Sequence, residues 1–151
     1  MQTAYANAAV EHQTPEDSVR LLVENYMDLW NRHDIAEHSK LLAEDADLVN
    51  VVGMHLRGRE EIQRQHEQLH RTIFSRMVSR ILHLSVRFPR DTTALVHVNW
   101  EMRGAGRLPG WNVPEPRTGV MTMLLVNQDG KWMVRALHNT DTIPVPSLPG
   151  E

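Results

Sequence analysis

The chain has 151 residues, of which 41% are hydrophobic and 23% are charged, a composition typical of one folded domain rather than a disordered segment. It contains no cysteine, which excludes disulfides, thiolate metal ligands and a cysteine nucleophile and favours a cytoplasmic location. With a net charge of −3, no clustered lysines and arginines and no long apolar run, neither nucleic acid nor a membrane is an expected partner.

The first half of the chain has mainly helical periodicity. Residues 1–13 are polar and predict a flexible arm. Thr14 and Pro15 then form a typical helix start, with a hydroxyl N-cap followed by proline at the first helical position. Apolar residues recur at helical spacing from there to about residue 33. The pattern predicts helices at 15–33, 35–43 and 58–75, with strands at 47–52 and 55–57.

After residue 76 the period of the apolar residues changes from 3.6 to 2. A glycine- and proline-rich loop at 104–116, which carries Trp111, interrupts this part. Helices followed by an antiparallel meander predict an α+β fold: a cone-shaped barrel of a strongly curved, mostly antiparallel sheet, with about three N-terminal helices on its concave face. The predicted strands are 77–88, 93–103, 117–127 and 131–140, within a domain at 14–142 that precedes an extended proline-rich tail at 143–151.

A histidine interrupts the apolar face of the third helix. His66 lies between Ile62, Leu69 and Ile73 at helical spacing, so this helix either covers a cavity that uses an imidazole or carries a metal. The segment from His66 through Glu67 to His70 satisfies the zinc-protease pattern H-E-x-x-H. No further histidine or glutamate ligand pattern follows it, so we expect no bound metal and keep a metal-dependent hydrolase only as an alternative.

Four stretches of the sequence carry a resemblance to a known family: Trp30 to Asp34, Leu41 to Gly53, Arg57 to Ile62 and Trp132 to Thr140. They resemble the nuclear transport factor 2-like superfamily, also called the SnoaL-like or ketosteroid-isomerase-like fold. Within it the chain looks most similar to the SgcJ/EcaC subgroup, whose members occur among enediyne and other polyketide biosynthesis proteins. The resemblance implies the cone-shaped fold and a pocket at its open end.

The resemblance to ketosteroid isomerases retains one functional position and changes two. It places the oxyanion-hole tyrosine on Tyr26, the general-base aspartate on Asn50 and the proton-donating aspartic acid on Thr122. An amide does not take a proton from carbon, and a threonine hydroxyl is a much weaker donor than a neutral carboxylic acid. A ketosteroid-type isomerisation by these residues is therefore disfavoured.

The same resemblance implies which strand residues face inward: the alternate sets that contain Trp100, Thr122 and His138. The opposite face would then be strongly apolar, which predicts a homodimer through the convex face of the sheet. A shift of one residue in the register would instead bring His97, Asn99 and Glu101 into the pocket. The predicted outward residues are His97, Asn99, Glu101, Met121, Met123, Leu125 and Leu137.

The predicted pocket has aromatic walls with a few polar groups, which suits a small hydrophobic ligand such as a polyketide intermediate, and no cofactor. His66 and His138 are the acid–base candidates. The preferred function is a pocket protein of secondary metabolism that binds such a ligand, with cyclisation or isomerisation as the reaction open to it. The alternatives are a non-catalytic accessory binder for a polyketide synthase and the metal-dependent hydrolase named above. The pocket residues are Tyr26, Trp30, Asn50, His66, Trp100, Thr122 and His138, with Trp111 at the mouth.

Overall fold

A computed structural model describes residues 13–107, 109–110, 114–145 and 147. Nearly all of the predicted N-terminal arm, much of the predicted tail and Trp111 therefore lie outside the described residues. In the described part, no helix is long and apolar enough to cross a membrane. The elements are α1 Pro15–Asn31, α2 Ile35–Ser39, β1 Leu42–Val49, β2 His55–Arg57, α3 Arg59–Arg71, β3 Val78–Arg90, β4 Thr93–Arg103, β5 Arg117–Gln128 and β6 Lys131–Asp141.

The start of α1 confirms the predicted cap. The Thr14 hydroxyl accepts a hydrogen bond from the backbone N–H of Asp17 at 3.1 Å, and the Asp17 carboxylate accepts one from the backbone N–H of Thr14 at 2.9 Å. This capping box satisfies backbone donors that the first turn of a helix leaves free. The buried face of α1 carries Val19, Val23, Tyr26 and Leu29.

The six strands form one mixed sheet in the order β2-β1-β6-β5-β4-β3. Each described pair of neighbours is antiparallel except β1 with β6, which is parallel. The predicted α+β fold is therefore confirmed, although β2 and β3 are free edges, so the sheet does not close into a barrel. The helices pack on one face of the sheet, called here the inner face; the opposite face is the outer face.

The second helix is shorter than the sequence predicts, because the chain leaves it to enter the sheet. Helix α2 ends at Ser39, and β1 begins at Leu42 in parallel register with Val134 of β6. Leu42 and Ala43 are each 1% exposed. Pairing with a distant strand outweighs the local helical pattern here.

The predicted inward register of β5 is wrong by one residue. Met121, Met123 and Leu125 are buried on the inner face, and Thr122 lies on the outer face opposite His97. The reason is visible in the sequence, because apolar residues occupy both alternate sets of β5. A period of two then carries no information about which face is buried. The predicted register of β4 is correct, with Trp100 buried on the inner face.

A bulge in β6 reverses the predicted faces of its second half. Leu124 pairs with Ala136 whereas Leu125 pairs with Val134, so Arg135 is an extra residue in the ladder. Trp132 and Val134 are buried as predicted, but beyond the bulge Leu137 is buried and His138 is exposed. His138 and Thr122 are paired neighbours on the outer face.

An asparagine side chain attaches the end of α1 to the edge of the sheet. The Asn31 amide donates to the carbonyl of Ser79 at 2.7 Å and accepts from its N–H at 2.8 Å. Ser79 lies in edge strand β3 and is 5% exposed, so its backbone groups have little access to water. Asn31 therefore supplies the pairing that the missing neighbour strand would provide.

We predict that Asn31→Ala lowers the free energy of unfolding by about 2 kcal/mol, because two buried backbone groups lose their partners. Urea denaturation monitored by circular dichroism measures the change. Asn25→Ala is the matched control, since Asn25 is exposed on the same helix. Equal stabilities of the two variants would contradict this role of Asn31.

Candidate functional site

A cavity of about 350 Å³ lies between the helices and the inner face of the sheet. This volume is at the lower end of the range for small-molecule pockets. Its wall is mostly apolar and carries a few polar groups. The polar and indole-bearing residues that line it are Tyr26, Trp30, Asn50, Gln65, His66, Ser79, Trp100, Arg117 and Asn139; the apolar ones include Met27, Leu56, Leu69, Phe74, Met102, Met121 and Leu137.

The helical wall of the cavity is built around Trp30. This residue follows Tyr26 by one turn of α1, so both side chains lie on the same face of the helix. The Trp30 ring packs edge-on against two imidazoles of α3, with centroid distances of 4.9 Å to His66 and 4.2 Å to His70. It also packs against His38 of α2, at a distance of 5.4 Å between the ring centroids, so one indole joins all three helices.

His38, His66 and His70 form what we call the histidine layer. In the described part of the chain, both ring nitrogens of His38, Nδ1 of His66 and Nε2 of His70 are buried without a hydrogen-bond partner. His70 Nδ1 is 2.8 Å from Nδ1 of His33, which is exposed at the end of α1. The layer is therefore an aromatic packing unit in which few of the polar atoms are satisfied.

Burial keeps the histidine layer uncharged at neutral pH. Burial and the neighbouring His70 lower the pKa of His66 to about 3. Burial and the neighbouring His33 lower the pKa of His70 to about 4, and burial with the other two imidazoles holds the pKa of His38 well below its usual value. Burial also raises the pKa of Tyr26. The helical wall therefore presents neutral rings and a neutral hydroxyl to the cavity.

The H-E-x-x-H segment does not form a zinc-protease site. Its Glu67 accepts a hydrogen bond from the Gln63 amide at 2.9 Å and pairs with Arg71 at 3.9 Å, rather than facing the cavity. The described residues contain no group of three histidine, aspartate or glutamate side chains placed to hold a metal ion. Within the described ranges, therefore, the donor set that the hydrolase alternative requires is not assembled.

The sheet wall of the cavity carries a tryptophan and an ion pair. Trp100 is 4% exposed, and its Nε1 donates to the side-chain oxygen of Asn139 at 2.8 Å. Arg117 donates to both carboxylate oxygens of Asp141, at 2.8 and 3.2 Å, and its guanidinium lies 5.6 Å from the centroid of the Trp100 ring. Arg117 is therefore neutralised by a bidentate carboxylate, and the wall has no net charge from this pair.

Five of the eight predicted pocket residues line the cavity: Tyr26, Trp30, Asn50, His66 and Trp100. Thr122 and His138 lie on the outer face for the reasons of register given above, and Trp111 lies outside the described residues. Asn50 has a structural task as well, since its side-chain oxygen accepts from the N–H groups of Val52 and Met54 at 3.1 and 2.9 Å.

Four polar cavity residues are absent from the sequence prediction: Gln65, Ser79, Arg117 and Asn139. Gln65 directly precedes His66, and its spacing from Ile62 and Leu69 places it on the same side of the helix, so the helical pattern could have identified it. Asn139 stands within the His-Asn-Thr ending of the resemblance, but the bulge at Arg135 decides that it, rather than its neighbours, faces inward. Nothing in the sequence marks Ser79 or Arg117.

The fold and the cavity together define a class: small α+β proteins with a ligand-sized cavity between their helices and their sheet. Residues 23–134 match the family model of the SnoaL-like domain, and the chain belongs to that family. A search of curated proteins finds no match.

Solved structures share the fold. An uncharacterised protein with a cystatin-like fold from Caulobacter vibrioides is similar at 28% identity and a TM-score of 0.80, over 85% of this chain and 90% of that one. A putative scytalone dehydratase from Novosphingobium aromaticivorans has 16% identity and a TM-score of 0.71, over 85% and 84% of the two chains. Aln2 from a Streptomyces species has 15% identity and a TM-score of 0.71, over 85% and 92%.

We predict that the protein loses stability steeply as the pH falls below 6.5. The histidines of the layer take up protons in the unfolded chain near pH 6.5 but resist them in the folded protein. The free energy of unfolding is therefore not reduced by these histidines above pH 6.5. Below pH 6.5 it decreases by about 1.4 kcal/mol per pH unit for each extra proton that is bound on unfolding.

Urea denaturation between pH 7.5 and 4.5 measures this slope. His38→Leu should reduce the number of protons taken up on unfolding by about one. It should also raise stability at low pH, because position 38 then has no buried imidazole that gains a proton on unfolding. The control is His83→Gln, since His83 is exposed in β3. Identical slopes for His38→Leu and the parent protein would rule out the histidine layer as the cause.

Proposed function

We propose that this protein binds a small, neutral, largely hydrophobic molecule in its cavity. The observation that carries the proposal is the wall itself: apolar side chains interrupted by neutral hydrogen-bonding groups from Tyr26, His66 and Asn139. Such a wall stabilises an uncharged ligand by burial and orients it by a few hydrogen bonds. A SnoaL-like domain fits a ligand-binding or isomerase-type role.

Binding without chemistry is the version that the electrostatics favour. A general base works best when its pKa lies near the working pH, and His66, with a pKa of about 3, is a weak base in the empty cavity. His138, the other acid–base candidate, is exposed on the outer face. An accessory binder of a polyketide or related intermediate, in the cytoplasm and of the SgcJ/EcaC type, is therefore our preferred function.

Cyclisation or isomerisation of the ligand is the second candidate. It is favoured by the joint presence of the His66 imidazole and the Tyr26 hydroxyl on one wall of the cavity. A carbonyl ligand bound between them would receive hydrogen bonds where charge develops in an enolisation. Conversion of a polyketide intermediate that is lost in His66→Phe, with binding retained, would favour this candidate over the binder.

We predict that filling the cavity weakens ligand binding strongly, whereas the same side chain one residue away does not. Met121→Trp adds bulk on the inner face of β5, and Thr122→Trp adds it on the outer face. The probe is N-phenyl-1-naphthylamine, a neutral dye that fluoresces in apolar surroundings. Met121→Trp should lower its affinity by at least tenfold, and Thr122→Trp should change it less than twofold.

A second cavity variant separates this effect from a loss of folding. Leu69→Trp fills the cavity from α3 and leaves the sheet unchanged. Thermal unfolding of each variant is measured beside the dye titration. Folded Met121→Trp and Leu69→Trp variants that bind the dye as tightly as the parent protein would refute the proposal.

We also propose a homodimer through the outer face of the sheet. The residues first expected there, such as Met121 and Leu125, are buried on the inner face instead. Half-buried apolar side chains still occupy the outer face of β5: Val120, Leu124 and Val126. Burying them against a second copy would remove apolar surface from water.

For the dimer we predict that Leu124→Arg shifts sedimentation velocity profiles from dimer to monomer, because an arginine in an apolar contact is not paired there. Leu21→Arg is the matched control, since Leu21 is 57% exposed on α1. A parent protein that stays monomeric at all concentrations would contradict the proposed dimer.

A further inference from the structure

The indole of Trp100 crosses an entire strand on the inner face of the sheet. Trp100 belongs to β4 and its hydrogen-bond acceptor Asn139 to β6, and β5 lies between these two strands. Adjacent strands are about 4.8 Å apart, so the ring has to pass over the backbone of β5 to reach Asn139. The cavity wall is formed here by a side chain laid across the sheet rather than by β5 itself.

The position that lies under the indole is Gly119. A Cβ atom at Gly119 would lie 2.2 Å from Cζ2 and 2.6 Å from Cε2 of Trp100, and 2.4 Å from the carbonyl oxygen of Thr140. Such distances are far shorter than a van der Waals contact, so no other residue fits without displacing the ring. Glycine within a strand weakens it and commonly marks a close approach of another group. Space, rather than backbone conformation, requires glycine at this position.

The displaced ring would have one direction in which to move. The sheet lies on one side of the indole and the cavity, which Trp100 lines, on the other. A side chain at position 119 would therefore push the indole into the cavity and make it smaller. Gly119 does not line the cavity itself, yet it determines how much of the cavity Trp100 leaves open.

We propose that Gly119 and Trp100 together select a flat aromatic ligand, with Gly119 as the specificity-determining position. This inference rests on the proposed function and adds the shape of the ligand to it. Indoles occur on both walls of the cavity, Trp30 on the helical side and Trp100 on the sheet side. An aromatic ring gains about 0.5–1.5 kcal/mol from contact with another aromatic ring beyond the area that it buries.

The test compares two small alcohols of different shape, flat 2-naphthol and globular 1-adamantanol. Isothermal titration calorimetry should show 2-naphthol binding roughly 2- to 13-fold more tightly, which is the aromatic contact energy converted to affinity. In Trp100→Leu this ratio should decrease, because among the described lining residues only the Trp30 indole then remains, with the affinity for 1-adamantanol unchanged or tighter. In Gly119→Ala the affinity for 2-naphthol should fall by about tenfold, because the indole occupies its place.

Asn139→Ala tests the position of the Trp100 indole in a second way. Unlike Gly119→Ala, it introduces no close contact with the backbone of Thr140. Loss of the acceptor frees the indole, so the preference for 2-naphthol should decrease and the Trp100 indole N–H signal should shift in nuclear magnetic resonance spectra. The signal is assigned by its absence from Trp100→Leu. Asn25→Ala, on the exposed side of α1, is the matched control and should change neither readout.

The possible failures can be told apart. A ratio of one in the parent protein, or a ratio that Trp100→Leu leaves unchanged, overturns the inference about shape while N-phenyl-1-naphthylamine binding continues to support the proposed function. If the parent protein binds neither alcohol nor the dye, the proposed function fails and the inference fails with it.

Discussion

The packing of Trp30 against the histidine layer is the contact on which the rest of the site depends. Three helices meet at this indole, and two of the partners, His66 and His70, come from α3 while His38 comes from α2. Edge-on aromatic contacts of this kind add to the area that they bury. The same contact places Tyr26 and His66 on one wall of the cavity, so the helical packing and the chemistry of the site have a common origin.

The two walls of the cavity carry different polar groups. The helical wall offers neutral imidazole and hydroxyl groups, held neutral by burial. The sheet wall offers Trp100, held by Asn139, and an arginine whose charge is balanced by Asp141. Among the described lining residues the charge of Arg117 is balanced by Asp141, and an unpaired buried charge would cost several kcal/mol. Both walls are therefore suited to an uncharged ligand.

Aromatic positions in the helices were predictable because each helix buries one face. Tyr26, Trp30 and His66 stand on apolar stripes with helical spacing, and all three line the cavity. The sheet residues were harder to place. In β5 both alternate sets are apolar, so the pattern does not distinguish the faces, and in β6 one extra residue at Arg135 exchanges His138 for Asn139. A bulge has no reliable local sequence signal, because the pairing of two strands creates it.

The sequence alone determined the order of the elements, the capped start of α1, the inner face of β4 and the helical half of the site. These depend on interactions between residues close in the chain or on a single buried face, which the spacing of apolar residues records. The tertiary structure decided the open sheet, the outer position of Thr122 and His138, and the passage of Trp100 over Gly119 to Asn139. Those features arise from contacts between strands distant in sequence, where available space decides which side chain faces the cavity.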